Sequence, residues 1–111
     1  MTQPAESFCL VYVTAQDRAE AEVLARRMVS LRLAACANIL GEIRSVYWWD
    51  GAVQDDAECA LIFKTTRALF PRLEEEIRAV HGYECPCVVA LPFCDGSAPF
   101  LSWIAEQTGK A

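Results

Sequence analysis

The chain predicts an α+β sandwich, a small antiparallel sheet with helices packed on one of its faces. Three observations carry this. Residues 33–66 read as two long strands meeting at Asp50-Gly51, a dipeptide suited to the positive-φ positions of a tight hairpin turn. An unbroken apolar run precedes them at residues 8–13 and another follows at 87–93, each with the look of a strand. Between these runs and the hairpin lie two segments whose apolar residues recur at helical spacing. The order is β-α-β-β-α-β, with one more helix at the end.

The first helix opens at Asp17, with Glu20 three residues on completing a capping box. Ala21, Leu24, Ala25, Met28 and Leu31 share one face, with Glu20, Arg26 and Arg27 off it. Each arm of the hairpin runs about 15 residues, against a usual five or six. At roughly 3.3 Å per residue an arm spans about 50 Å, whereas a domain of this size has a radius of gyration near 13 Å. The hairpin must project, with Tyr47, Trp48 and Trp49 at its tip. A protruding aromatic ribbon with two free edges calls for a partner, most simply another copy of the chain.

Register poses a problem within the ribbon. Ala35, Ala37, Ile39 and Ile43 on the first strand and Cys59, Leu61 and Phe63 on the second are all odd-numbered. A strict two-residue turn at Asp50-Gly51 pairs odd with even and puts the two sets on opposite faces. One inserted residue repairs this, pairing Ile39 with Leu61 and Ala37 with Phe63, and Gly41 is the expected site. Beyond Thr66, Leu69, Leu73, Ile77 and Val80 form the next helical stripe, with a late start or distorted first turn because Pro71 lacks an N–H. His81-Gly82 ends it. A last helix is capped by Ser97, tolerates Pro99 in its first turn, and presents Phe100, Leu101, Trp103 and Ile104. This element order is that of a ferredoxin-like sandwich, its two helices on one face and the other face bare.

Length and charge narrow the classes. A chain of 111 residues makes one domain, 1–111, with room for one modest core. The 54% hydrophobic content is high for that size and fits surface buried between subunits. A net charge of −5 argues against a nucleic-acid surface. The longest apolar run falls well short of a membrane span, and MTQPAESF has no secretory pattern. Six cysteines without that pattern read as reduced thiols of a cytoplasmic protein.

The candidate chemistry centres on the turn at 81–87. His81 is the one histidine, with Tyr83 and Glu84 close behind. It reads either as a metal ligand or as a helix-end residue complementing the dipole, and the residues alone favour the second. Cys85-Pro86-Cys87 is a close thiol pair able to hold soft Cu(I), though without the second pair that tetrahedral zinc requires. The plainer reading is two small residues opening a strand. Cys36 either faces a pocket or packs. Asp55, Asp56 and Glu58 are an acidic run that usually marks a solvated edge. The sequence carries no Gly-rich phosphate loop, serine elbow or paired catalytic carboxylates, so no enzyme is expected.

LAACANI (33–39), SVYWWDG (45–51), IFKTT (62–66), HGYECP (81–86), LPF (91–93) and FLSWI (100–104) occur in the order of the CutA divalent-cation tolerance proteins, which the chain resembles from about residue 8 to 106. The resemblance implies a homotrimer binding divalent metal ions, chiefly copper, at or near subunit interfaces, with no organic cofactor and no nucleic-acid or membrane partner. Taken with the residues' own candidates, the metal donors are His81, Glu84 and Cys36, which lie in motifs shared with the family, and Cys85 and Cys87 from the thiol pair. The resemblance also implies Tyr47, Trp48, Trp49, Lys64 and Tyr83 as walls of a cleft between subunits. Some copper-binding relatives have a cysteine where this chain has Val13 and a histidine where it has Val80, leaving His81 from that set, and Gly82 stands where proline is usual. An alternative is a signalling module like the PII-type trimers, sensing a small metabolite in the same cleft. A thiol redox protein using Cys85 and Cys87, and more remotely an RNA-recognition module, share parts of the pattern.

Overall fold

A computed structural model describes residues 3–109. Its order is β1 (Phe8–Ala15), α1 (Arg18–Ser30), β2 (Cys36–Trp49), β3 (Ala52–Thr66), α2 (Phe70–Val80), β4 (Val88–Pro92) and α3 (Ala98–Gln107), with short 3-10 turns before β1 and before α2. The four strands form one sheet in the order β2-β3-β1-β4, every neighbouring pair antiparallel. This is the ferredoxin-like α+β sandwich that the sequence predicts.

Side-chain alternation divides the sheet into two faces. Cys9, Val11 and Val13 of β1 and Cys59, Leu61 and Phe63 of β3 point toward the helices. There they meet Ala21, Leu24, Ala25 and Met28 of α1 and Leu73 and Ile77 of α2 in one buried core. The opposite face carries Leu10, Tyr12, Ile62 and Lys64 and is only partly covered. On β4 its Val89 and Leu91 are 52% and 51% exposed. Helix α3 sits at the far end, where Leu101 and Ile104 close a second cluster over Phe8 and Ala35.

The local signals mostly hold. Asp17 caps α1 by accepting from the Glu20 amide at 2.8 Å, but the Glu20 carboxylate answers to Gln16 N–H, one residue outside the expected box. Leu31 falls on the helix C-cap and is exposed. Before α2 the chain makes a 3-10 turn, Arg67–Leu69, in which Thr66 Oγ1 accepts from the Leu69 amide, so Pro71 falls in the first turn of the α-helix proper. Ser97 stands at the N-cap of α3 without a side-chain bond.

The ribbon is as long as the sequence requires, and the molecule measures 50 × 27 × 22 Å. Asp50 and Gly51 have φ of 53° and 76°, the two positive values of a primed turn. Ile39 pairs with Leu61 and Ala37 with Phe63, and the register shifts between Ile39 and Gly41. Gly41 takes φ of 109°, and Leu40 is the unpaired residue. Past this bulge the parity inverts. Ile43, opposite Glu58, therefore lies on the face away from Ile39, not with it as simple alternation suggests. Because nothing lies within 4 Å of a Cβ built at Gly41, its replacement by alanine tests backbone strain alone. Gly41→Ala is expected to lower the unfolding free energy by about 1–2 kcal/mol, read from the denaturant midpoint. An unchanged midpoint would mean that the bulge relaxes into another conformation.

Candidate functional site

Helix α2 ends at His81, whose amide donates to Ile77 O at 2.8 Å while its own backbone turns extended. The imidazole swings inward and is buried. Nε2 lies 2.8 Å from Thr14 O, and Nδ1 accepts from the Tyr83 amide at 3.0 Å. An amide can only donate and a carbonyl can only accept, so the ring is held as the neutral Nε2–H tautomer with both nitrogens engaged. The Tyr83 ring covers it, 4.6 Å between centroids. Glu20 completes the junction. One carboxylate oxygen accepts from Gln16 N–H and the other from Gly82 N–H, both at 2.9 Å, and the first lies 3.8 Å from His81 Nε2. A Cβ on Gly82 would stand 3.0 Å from that second oxygen. Three segments far apart in sequence, the end of β1, the first turn of α1 and the turn after α2, are thus joined through two side chains.

The thiols lie just beyond this junction. Cys85 is exposed and Cys87 half-buried, and all six cysteines are free. Burial pushes the Cys87 thiol up, Glu58 nearby adds to this, and the neighbouring Thr14 hydroxyl opposes it. Glu84 projects to solvent. Cys36 is elsewhere. It faces Lys64 across the ladder, whereas Cys87 precedes Val88, which pairs with Val13 opposite Leu61. Lys64 and Leu61 are three residues apart on β3, about 10 Å, so Cys36 does not meet the 85–87 pair within one chain. Burial raises the Cys36 thiol and Lys64 pulls it down. Among the described residues no three His, Cys, Asp or Glu side chains converge as a metal site.

Two tyrosines approach carboxylates two residues apart on β3, one from the ribbon near its tip and one from the turn after α2. Tyr47 OH donates to Asp56 Oδ2 at 2.7 Å, and the Tyr83 phenol lies near Glu58. The bond to Asp56 raises the Tyr47 phenol; burial, then Glu58, raises that of Tyr83 well above its ordinary value. Trp48 and Trp49 point to opposite sides of the tip, and Trp48 is 75% exposed. Lys64 sits at the other end of the bare face with its ammonium 5.6 Å from the Phe100 ring, which stacks on Trp103. The predicted residues thus separate into a turn group (His81, Tyr83, Glu84, Cys85, Cys87), a tip group (Tyr47, Trp48, Trp49) and a distal pair (Cys36, Lys64). Sequence reasoning missed Glu20, Thr14 and Glu58 as parts of the turn group. Glu20 carried a signal, but only as a helix cap, and nothing local marks the other two.

These features define a ferredoxin-like α+β domain distinguished by a projecting aromatic ribbon and a thiol-bearing turn latched to the core. Residues 9–107 match the family described as CutA1 divalent ion tolerance protein, and the chain belongs to that family. The divalent-cation tolerance protein CutA of Thermus thermophilus is 41% identical over 100 residues, 90% of this chain and 97% of that protein. The chloroplastic protein CutA 1 of rice is 44% identical over 102 residues, 92% of this chain but 58% of that longer protein. The crystal structure of rice CutA1 matches with a TM-score of 0.91 at 42% identity, covering 99% of this chain and 98% of that one. A structure from Archaeoglobus fulgidus, described as a periplasmic divalent cation tolerance protein, matches at 0.88 with 39% identity over 90% of this chain and 97% of that one.

Replacing His81 by alanine strips partners from Thr14 O and the Tyr83 amide at once. At about 1–3 kcal/mol for each buried group left unsatisfied, His81→Ala is expected to cost about 2–5 kcal/mol in chemical denaturation. Nitrogen NMR of the wild type should show the Nε2–H tautomer. An Nδ1–H tautomer, or a loss below 1 kcal/mol, would show that the two bonds do not form in solution.

Proposed function

We propose that this chain works as a homotrimeric divalent-cation tolerance protein of the CutA type, holding copper-class ions at or near its subunit interfaces and catalysing no reaction. The observation that carries the reading is the ribbon. It extends beyond the core with Val46, Trp48 and Val53 exposed, apolar surface that an isolated monomer leaves in water. Membership in a family described by divalent ion tolerance supplies the ligand class. An interfacial location also fits the donor geometry. A single chain gathers fewer than three ligating side chains at any point among the described residues, so a higher-coordinate site needs donors from a second copy. Within each copy the free candidate donors are Glu84, Cys36, Cys85 and Cys87, and His81 could join them only by giving up a bond to Thr14 O or the Tyr83 amide. Tyr47, Trp48, Trp49, Lys64 and Tyr83 would then line or anchor the contact between copies. Six free thiols suit a reducing compartment, which supports the cytoplasm as the site of action.

Light scattering at low micromolar concentration should give the mass of three chains, and Trp48→Ala should weaken assembly by a few kcal/mol. A stable monomer would overturn the reading. Melting temperature should rise with protein concentration, because subunit dissociation accompanies unfolding; a value constant over a hundredfold range would count against an obligate assembly. By calorimetry Cu(II) should bind more tightly than Mn(II) or Co(II), following the order for imidazole and thiolate donors. Equal affinities would remove the copper assignment.

A further inference from the structure

We infer that Cys85 and Cys87 together form a two-coordinate thiolate site for a soft monovalent cation of the Cu(I) class, and that His81 braces this site without ligating the ion. The inference rests on the reading of the chain as a metal-handling protein and names the atoms involved. Around the turn, Glu84 is a hard carboxylate donor exposed to solvent, unsuited to a soft monovalent cation. Both nitrogens of His81 are engaged, with Thr14 O and the Tyr83 amide. Both oxygens of Glu20 are engaged, with the Gln16 and Gly82 amides. Taking a metal at His81 breaks a bond that holds the turn, because each ring nitrogen has only one such bond to give. The two sulfurs carry no such obligation: Cys85 is exposed and Cys87 is half-buried.

Their spacing suits a shared ion. Two residues of chain separate the Cα atoms by at most about 7 Å, within reach of two thiolates bridging one ion. The segment is also restrained at both ends. Upstream, Gly82 and Tyr83 are tied by their amides to Glu20 and His81. Downstream, Val88 enters the sheet opposite Val13. Between the cysteines Pro86 fixes its own φ and keeps Cys85 out of the helical region.

Donor type and number then select the ion. Thiolates favour soft, closed-shell cations. Zn(II) in structural sites takes four ligands, and no third His, Cys, Asp or Glu converges here among the described residues. Two sulfurs alone suit a cation content with linear coordination. Binding is a ligand exchange without electron transfer: two thiols lose two protons, one Cu(I) enters, and the product carries a single negative charge. The other cysteines stand apart. Cys9 and Cys59 are buried in the core, Cys36 lies toward the other end of the sheet, and Cys94 follows the far end of β4 from Cys87.

The test is an anaerobic titration of the full chain with Cu(I) against the chromophoric chelator bicinchoninate. Wild type and Cys36→Ser should each take one Cu(I) per chain, with copper X-ray absorption showing two sulfur neighbours. Cys85→Ser and Cys87→Ser should each lower affinity at least 100-fold while keeping the wild-type assembly state. With Ag(I) as a diamagnetic probe, the His81 resonances should keep the Nε2–H pattern at saturation. Full Cu(I) affinity in either serine variant, nitrogen in the copper shell, or a His81 signal shifted to metal ligation would overturn the proposal. A double serine variant that still binds Cu(I) as wild type does would sink the thiol pair and leave the broader metal-handling reading standing. Absence of all metal binding in a wild-type trimer would sink both.

Discussion

Everything distinctive about this molecule depends on keeping two strands in register over a length that the core cannot support. Near the body of the sheet, β2 and β3 must present Ala37, Ile39, Leu61 and Phe63 to the helices. At the tip, the turn at Asp50-Gly51 sets the pairing from the opposite direction, one residue out of step. The two demands are compatible only if one residue drops out of the ladder between them. Leu40 does so, and Gly41 supplies the dihedral that lets the chain rejoin. Without that slip, either the core loses a strand's worth of apolar contacts or the tip loses its tight turn.

The same slip exchanges the two faces of the ribbon relative to the sheet. Tyr47, Ser45 and Ile43 come to lie on the uncovered face, in line with Glu58 and Asp56, while Val46 and Trp48 move to the helix side beyond the helices' reach. Each side of the ribbon then carries one polar pair, Tyr47–Asp56 on the uncovered side and Arg44–Asp55 beside Val46 on the other. The Tyr47–Asp56 bond and the Glu58 carboxylate near Tyr83 sit beside the thiol-bearing turn, which the Glu20 and His81 bonds hold against the end of β1. The turn is thus tied to the core at its start through the Gly82 and Tyr83 amides and rejoins the sheet at Val88.

Much of this was legible in the residues. The bulge followed from parity alone, because apolar positions on both arms had to face one core. The projecting ribbon followed from arm length against domain size, and the displaced start of α2 from a proline that cannot donate. Other features were not legible, for a common reason. Glu20, Thr14 and Glu58 meet the turn only through tertiary contacts spanning 62 residues in the Glu20–Gly82 case, and no local pattern encodes those. His81 was read correctly as a helix terminus. Its ring, however, was expected to face the dipole or a metal, whereas burial and two backbone partners fix it. Ile43 misled by alternation, since periodicity cannot be carried across the very bulge that it predicts.

Strand order has a further consequence for the chain during its synthesis. β1 is the first strand made, yet it is interior to the sheet, and its two neighbours are β3 and β4. One flank stays open until residue 66 has been added and the other until residue 92. The ribbon, by contrast, joins adjacent segments and can zip from its turn as soon as it clears the ribosome. The nascent chain therefore carries an apolar strand with unpaired edges through most of its translation, and the exposure ends only when β4 docks. Crowded polysomes, where identical unfinished strands emerge side by side, are the setting in which this protein is most vulnerable to pairing with the wrong copy of itself.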